Sequence, residues 1–497
     1  MKVLSAINTK KVDSYCINNI GIPSIVLMEN AAEQVKKIIS NKGNHFLVLC
    51  GEGNNGGDGL AIARKLFMEG KEVCVVICNG TGKRTEDFLI NYNILNNIGV
   101  EILQLEDIIE RESFEKKICY YDVIIDCIFG IGLNRDIKGN TYKLIDMINK
   151  KAKYKVSVDI PSGIDGNTGM IKGICVEADK TVTIETYKQG FFLGEACNYL
   201  GEIDVVKIGF LQSVIDKFSE GIDILDKAEY ENMIVCRKKN GHKGDYGKIL
   251  ILAGSKRYTG AAYIASESAV RSGGGLITLI ADNDIKEIMQ TRLTEAMVID
   301  YEDKDLEKLI KTADIIACGP GLGQTEKSKG ILKKVIDESE CNLVIDADAI
   351  NIISKDSELL KQVRGRAVFT PHSGEMARLT GKSIKEVNDN RINICREFAK
   401  TNDVVVLLKG YKTIIASESR CIVNPTGNSK MATGGMGDCL TGMIAALIGQ
   451  EKDIFIGTIL AAYVHGLIGD ELAKERYSIN ARDIIKLIPE TLNKLQR

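Results

Sequence analysis

The 497-residue chain is longer than one ordinary hydrophobic core organises, so roughly two to four domains are expected. Hydrophobic residues make up 44% and charged residues 27%, the balance of a soluble globular protein. Lys+Arg number 65 against 67 Asp+Glu; a net charge of −2 builds no field to gather nucleic acid. The 14 cysteines are scattered without a Cys-x-x-Cys pair, and Cys74 and Cys78 sit inside an apolar run. That spacing argues for reduced core thiols in a cytoplasmic protein, not for disulfides or a metal cluster. The opening MKVLSAINTKKVDSYC lacks the apolar stretch of a signal peptide. No run of about 18 unbroken apolar residues suggests a membrane span.

Short apolar runs alternate with helical patterns along the chain, the signature of parallel α/β architecture. Amphipathic helices are expected near 9–19 and 24–40, followed by strands at 45–50, 72–78, 123–126 and 155–160. Helical patterns at about 59–69, 85–97 and 140–150 separate them, and the run 204–210 closes this half. The charged stretch 211–240 carries no strong strand pattern and marks a boundary, giving domains at 1–215 and 228–497. A second alternation supplies strands at 248–254, 276–281, 314–319, 343–348, 367–370 and 404–410. Residues 404–409, 412–416 and RCIVN form a small β-meander, and helices near 437–449, 455–473 and 481–495 end the chain. No period of 20–50 residues recurs.

The first strand runs into GEGNNGGDG (Gly51–Gly59), with a helix opening at Leu60. Gly51, Gly53 and Gly56 satisfy G-x-G-x-x-G, whose backbone N–H groups cradle phosphate at a helix start. Alone, this weak match suggests a nicotinamide-dependent dehydrogenase. Two further loops redirect it: DCIFGIGLNRD (Asp126–Asp136) and VDIPSGIDG (Val158–Gly166), each after a strand. All three converge where open α/β sheets place ligands. Neutral oxygens from Asn55 and Ser162 with the Asp126 carboxylate suit a weakly bound hard cation. Taken singly, Asp58 is as well explained as a helix-start charge, and Ser162 as turn chemistry.

These three loops, with LMENAA (27–32), resemble the NAD(P)H-hydrate epimerase family, also called the YjeF N-terminal family, over about residues 1–215. The resemblance implies a Rossmann-like three-layer domain that interconverts the R and S hydrates of NADH and NADPH. Carried over by position, it assigns substrate binding to Asn54, Asn55, Gly56, Gly57, Asp58, Gly130, Ile131, Gly132, Leu133, Asn134, Arg135, Asp136 and Asp159. Asn55, Asp126 and Ser162 would hold a potassium ion, and Asp159 is the candidate acid/base.

The second half carries AGSKRYTGAA (253–262), CGPGLG (318–323), IDADAIN (345–351), TPHSGE (370–375), KGYKT (409–413) and MATGGMGDCLTG (431–442). In the last, glycines at a helix N-terminus can stabilise the charge on a transferring phosphoryl group while Asp438 takes the proton of an attacking hydroxyl. This G-x-G-D resembles the ribokinase-like kinases, and no GxxxxGK[ST] is present. KGYKT also fits a plain hairpin with a solvated lysine. His372, in a turn after a strand, suits a stacking or hydrogen-bonding contact.

In order, these strings resemble the NAD(P)H-hydrate dehydratase family over about 230–497, a ribokinase-like α/β domain. The resemblance implies that ADP (or ATP, as in eukaryotes) phosphorylates the ring hydroxyl of the S hydrate, after which phosphate leaves. It assigns hydrate contacts to Ala261, Gly321, His372 and Asp438. Nucleotide contacts fall to Lys409, Gly410, Tyr411, Lys412, Thr413 and Gly437, with magnesium, and Asp438 is the catalytic candidate. The fused arrangement favours ADP. Partners are then small molecules, without nucleic acid or membrane; a homo-oligomer is expected. Two rivals stay open: a vitamin-type kinase fused to a regulatory Rossmann domain, and a scaffold that retains the N-terminal fold without its activity.

Overall fold

The computed structural model describes residues 1–78 and 84–496. The chain divides into two compact units, Met1–Glu220 and Gly221–Arg497.

The first unit contains β1 (Val3–Leu4), β2 (His45–Cys50), β3 (Glu72–Ile77), β4 (Glu101–Gln104), β5 (Val123–Cys127), β6 (Lys155–Val158), β7 (Lys180–Ile184), β8 (Tyr187–Lys188) and β9 (Glu202–Val206). Seven of these form a parallel sheet in the order β4-β3-β2-β5-β6-β7-β9. Period-2 alternation splits the core into two layers. Phe46 and Val48 of β2 face a cluster with Met28, Ala32, Leu60 and Leu66. Leu47 and Leu49 face another with Leu144, Ile145 and Ile148. Helices therefore cover both faces, as a sheet of near-continuous apolar strands requires.

Three helices bear on the site: α1 (Ala6–Tyr15), α2 (Ser24–Ile39) and α3 (Asn54–Met68). α3 starts at Asn54, six residues before the expected start at Leu60, because Gly53 caps it and Gly56 and Gly57 belong to its first turns. A Cβ on Gly56 would collide with the carbonyl oxygen of Gly51, so this tight strand-to-helix turn requires glycine. The two-residue strands β1 and β8 pair in parallel as a separate small sheet, setting Leu4 opposite Lys188.

The second unit contains β10 (Ile222–Asp223), β11 (Lys248–Leu252), β12 (Leu276–Ala281), β13 (Met297–Asp300), β14 (Ile315–Cys318), β15 (Asn342–Ile345), β16 (Ala367–Phe369), β17 (Val405–Leu408), β18 (Ile414–Ala416) and β19 (Cys421–Val423). They form one sheet, β10-β19-β18-β17-β16-β15-β14-β11-β12-β13. It is parallel except where β17, β18 and β19 make the antiparallel meander. β10 pairs with β19, so the second sheet begins inside the 211–240 stretch and ahead of residue 228. A two-residue strand is too short to leave an alternation in the sequence.

One core joins the sheet to the helices Thr259–Arg271, Met436–Glu451, Ile454–Ala473 and Ala481–Leu495. Gly442 lets the first two approach closely; a Cβ there would run into Ala265 O and Ser268 Oγ. Ile454–Ala473 is long and apolar enough to cross a membrane by length and composition, yet 72% of its most apolar window is buried within the protein. Packing on its neighbours accounts for that hydropathy.

Candidate functional site

In the first unit a cavity of about 510 Å³ opens along the C-terminal edge of the parallel sheet. Its wall includes Asn54, Asn55 and Asp58 from α3, Gly130–Arg135 after β5, and Asp159 after β6. Gly56, Gly57 and Asp136 are outside that wall; Gly56 serves the turn, and Gly57 makes room for the Met28 side chain of α2. Asp126 and Ser162 are fully buried and also outside it. They brace the wall: Ser162 Oγ donates to Asp126 Oδ1 (2.5 Å) and accepts from Phe129 N–H (2.8 Å). Asp126 further accepts from Ser157 Oγ (2.8 Å), Ser162 N–H (2.8 Å) and Ile128 N–H (3.2 Å). Burial raises the Asp126 carboxyl, and these hydrogen bonds oppose the rise.

Asp126→Ala would strand Ser157 Oγ and two N–H groups, leaving Ser162 Oγ with Phe129 alone. A loss of roughly 3 kcal/mol of stability is expected, checked by denaturant unfolding of the full chain.

Both amide atoms of Asn55 are buried without a hydrogen-bond partner, its side chain lying against Gly130. Such an orphan is costly unless a ligand completes it. An unpartnered amide oxygen is the kind of neutral oxygen donor that fits a weakly held monovalent cation. Among the described residues no group of three or more His, Cys, Asp or Glu could hold a metal ion. Thr85 Oγ1 and Thr186 Oγ1, from two more wall residues, are likewise buried and unpartnered.

Asp159 occupies the left-handed region at φ +67°, a conformation that costs a non-glycine residue energy. Its carboxylate pairs with the ammonium of fully buried Lys188 and accepts from Ile184 N–H at 3.2 Å. The same ammonium donates to Thr183 Oγ1 (2.8 Å), Ile184 O (2.9 Å) and Thr186 O (3.2 Å). Asp13 of α1 and Asp87 also line the cavity. Burial, then the charges of Asp159, Asp13 and Asp87, raise the Asp58 carboxyl well above its usual range. Burial followed by Asp159 and Asp87 raises Asp13. The wall thus gathers carboxyls raised by burial, an ion-paired carboxylate, and the cations Lys10 and Arg135 around one cavity. Asp13, Asp87 and Lys188 escape sequence reading, since each looks like an ordinary surface charge in its local context.

In the second unit Asp438 lies in the first turn of the Met436–Glu451 helix, whose N-cap Gly435 adopts φ +89°. Burial first and Asp346 second push its carboxyl up to about 6, with Lys409 opposing. Lys409, at the end of β17, brings Nζ to within 3.4 Å of where a Cβ on Gly437 would stand. It is held by Asp346 Oδ1 (2.8 Å) and, at longer range, Glu375 Oε2 (3.9 Å). Burial disfavours its charge, but Asp346, Glu375 and Asp438 outweigh that and keep the ammonium above its usual range. A cation beside a helix N-terminus and a carboxylate raised towards neutrality is a phosphoryl-transfer arrangement.

His372 caps the Ser373–Thr380 helix: Nδ1 accepts from Gly374 N–H (2.9 Å), while Glu375 reaches back to His372 N–H (2.9 Å). The exposed ring thus joins, through Glu375, the chain that holds Lys409. Gly321 (φ +60°) meets Ala261; a Cβ there would stand 2.9 Å from Ala261 Cβ and 2.6 Å from Tyr258 Cβ. Arg391 clamps the 409–413 turn through Tyr411 O (2.8 Å), Leu408 O and Lys409 O (3.3 Å each). Thr413 Oγ1 donates to Gly410 O (3.0 Å). Lys412 points its ammonium at Pro425 O (2.5 Å), where burial holds it below the usual lysine range. The 409–413 turn is therefore fixed in shape, with Tyr411 exposed at its tip. Asp346, within IDADAIN, looks in the sequence like one more polar residue after a strand.

A proton-taking Asp438 needs its carboxylate free, so the rate of this site should fall as pH drops through about 6. A pH profile of kcat/KM measures that limb.

Fold and sites together define a two-unit α/β enzyme: an acid-lined cavity on a Rossmann-like sheet, and a phosphoryl-transfer site on a ribokinase-like one. Residues 249–490 match the family model described as NAD(P)H-hydrate dehydratase, and residues 24–190 match that of the YjeF-related protein N-terminus. A bifunctional NAD(P)H-hydrate repair enzyme of Moorella thermoacetica is 34% identical over 517 residues, covering 100% of this chain and 97% of its own. The Escherichia coli enzyme of the same description is 32% identical over 444 residues, covering 89% of this chain and 84% of its own. An Enterococcus faecalis ribokinase-like protein superposes with TM-score 0.53 at 31% identity, covering 56% of this chain and 98% of its own. The ADP/ATP-dependent NAD(P)H-hydrate dehydratase of Bacillus subtilis, co-crystallised with ATP/Mg2+, gives 0.50 at 29%, covering 56% and 100%. The chain belongs to the family of bifunctional NAD(P)H-hydrate repair enzymes.

Proposed function

We propose that the first unit interconverts the R and S hydrates of NADH and NADPH, and that the second dehydrates the S form at the expense of ADP. The observation that carries the reading is Asp438, raised to about 6 beside Lys409 at a glycine-built helix N-terminus. In the second site Asp438 takes the proton of the hydrate's ring hydroxyl as its oxygen attacks the terminal phosphorus of ADP. The bond to AMP breaks, and Lys409 with the helix N–H groups meets the charge that develops. Loss of phosphate from that carbon and of a proton from its neighbour restores the ring double bond. The balance is hydrate plus ADP giving NAD(P)H, AMP and phosphate. Ala261, Gly321 and His372 contact the hydrate; Lys409–Thr413 and Gly437 contact the nucleotide. Magnesium bound together with the nucleotide would supply positive charge against its phosphates.

In the first site Asp159 serves as acid/base at the carbon whose configuration inverts. Raised carboxyls at Asp58 and Asp13 provide further protons, and α3 with Arg135 receives the pyrophosphate. Asn55, Asp126 and Ser162 would hold potassium, which supplies fixed positive charge close to the substrate.

A true kinase would leave a stable phosphorylated product. The test is incubation of S hydrate with ADP or ATP. NAD(P)H, AMP and inorganic phosphate from ADP uphold the reading, and a persistent phosphorylated dinucleotide sinks it. Faster turnover with ATP would reassign the donor.

A further inference from the structure

We infer that Asp346 is the positioning residue of the phosphoryl-transfer site: it fixes the Lys409 ammonium over the N-terminus of the Met436–Glu451 helix and is itself locked to that helix by Thr441.

Asp346 closes β15 and is 1% exposed, so its carboxylate meets no bulk water. Its two oxygens reach partners from different elements, and Thr370, just after β16, adds a further hydrogen bond. Oδ1 takes Lys409 Nζ at 2.8 Å from the end of β17, and Oδ2 takes Thr441 Oγ1 at 2.7 Å from the helix itself. Thr441 follows Asp438 by three residues, which places both on one helix face. The carboxylate thus ties together the strand edge that carries the cation and the helix that carries the base. Burial alone would raise Asp346; Lys409 first, then the Thr441 and Thr370 hydroxyls, outweigh it and hold the carboxyl below its usual range. A charge kept in so dry a place needs such pairing.

The same charge also acts on Asp438. The groups that set the base are Asp346 from β15 and Lys409 from β17, with Glu375 of the Ser373–Thr380 helix acting through Lys409. Asp346 raises Asp438 and Lys409 lowers it. The two substitutions therefore move the acid limb in opposite directions. Asp346→Asn removes the like charge and frees the cation to face the base, so the limb should move below about 6. Lys409→Gln should move it above. A residue that merely supported the fold would lower activity without moving the limb.

This rests on the dehydratase reading, and the full-length chain tests both. The measurement is dehydration of S hydrate across a pH series, with kcat and kcat/KM determined separately. Asp346→Asn is expected to lower kcat by about a hundredfold, with its acid limb displaced downward. Thr441→Val, which keeps shape but loses the hydroxyl, should cost several-fold, and Thr441→Ser should restore the rate. If Asp346→Asn fails to fold, the Val and Ser pair alone decides. An unshifted limb and near-normal kcat in Asp346→Asn, or Val equal to wild type, overturns the inference. If wild type converts no hydrate with either nucleotide, the dehydratase reading itself has failed.

Discussion

Asp438→Asn is expected to lower dehydration of the S hydrate by about a thousandfold while leaving epimerisation of the R hydrate at the wild-type rate. The substitution removes the one carboxylate placed in the first turn of the phosphoryl-transfer helix, where an attacking hydroxyl needs an acceptor for its proton. Its shape is preserved, and Gly435, Gly437 and the Lys409–Asp346 pair are untouched. Binding of nucleotide should therefore change little, and the loss should fall on kcat. The residual rate should also lose its dependence on pH near 6, since the group responsible is gone. Steady-state assays of both reactions on one preparation measure all of this; an equal loss in both would mean misfolding.

Asp159→Asn is expected to be the mirror case, slowing R-to-S interconversion by about a hundredfold or more with S-hydrate dehydration intact. Here a cost in stability accompanies the loss. Lys188 is fully buried, and Asp159 is its only carboxylate among the described ion pairs. An amide leaves the ammonium with Thr183, Ile184 and Thr186 oxygens alone, and breaking one side of a buried pair typically costs about 3–5 kcal/mol. The kinetic and stability effects separate experimentally: the rate is read well below the melting temperature, and the melt is read by circular dichroism. Restoring the charge with Glu should recover stability more than rate, because the left-handed backbone at φ +67° aims the shorter side chain at a fixed point.

The parallel sheets were legible because their central strands are apolar on both faces. HFLVLC, EVCVVI and KILIL declare themselves without context. Strands β1, β8 and β10 were not legible, being two residues long and set only by tertiary pairing. The start of α3 was misplaced because glycines mark loops in a sequence, whereas Asn54–Gly59 are helical here under a Gly53 cap. At the sites, glycine-rich loops announced themselves by composition. Asp346, Lys188 and Asp13 did not: each acquires its character from burial and from a partner far away in the chain, such as Lys409 at 63 residues' separation from Asp346. His372 illustrates the converse. Its motif stood out, and its nearest job is capping a helix, with the ring still presented at the sheet edge.

The central claim is that one chain carries both halves of hydrate repair. It is tested most directly by incubating an equal mixture of R and S hydrates with ADP and following the dihydronicotinamide absorbance to completion. Wild type should recover fully, Asp159→Asn should slow sharply after the S half, and Asp438→Asn should recover almost nothing. Recovery that halts at the S half with wild type, or proceeds without any nucleotide, would contradict that claim.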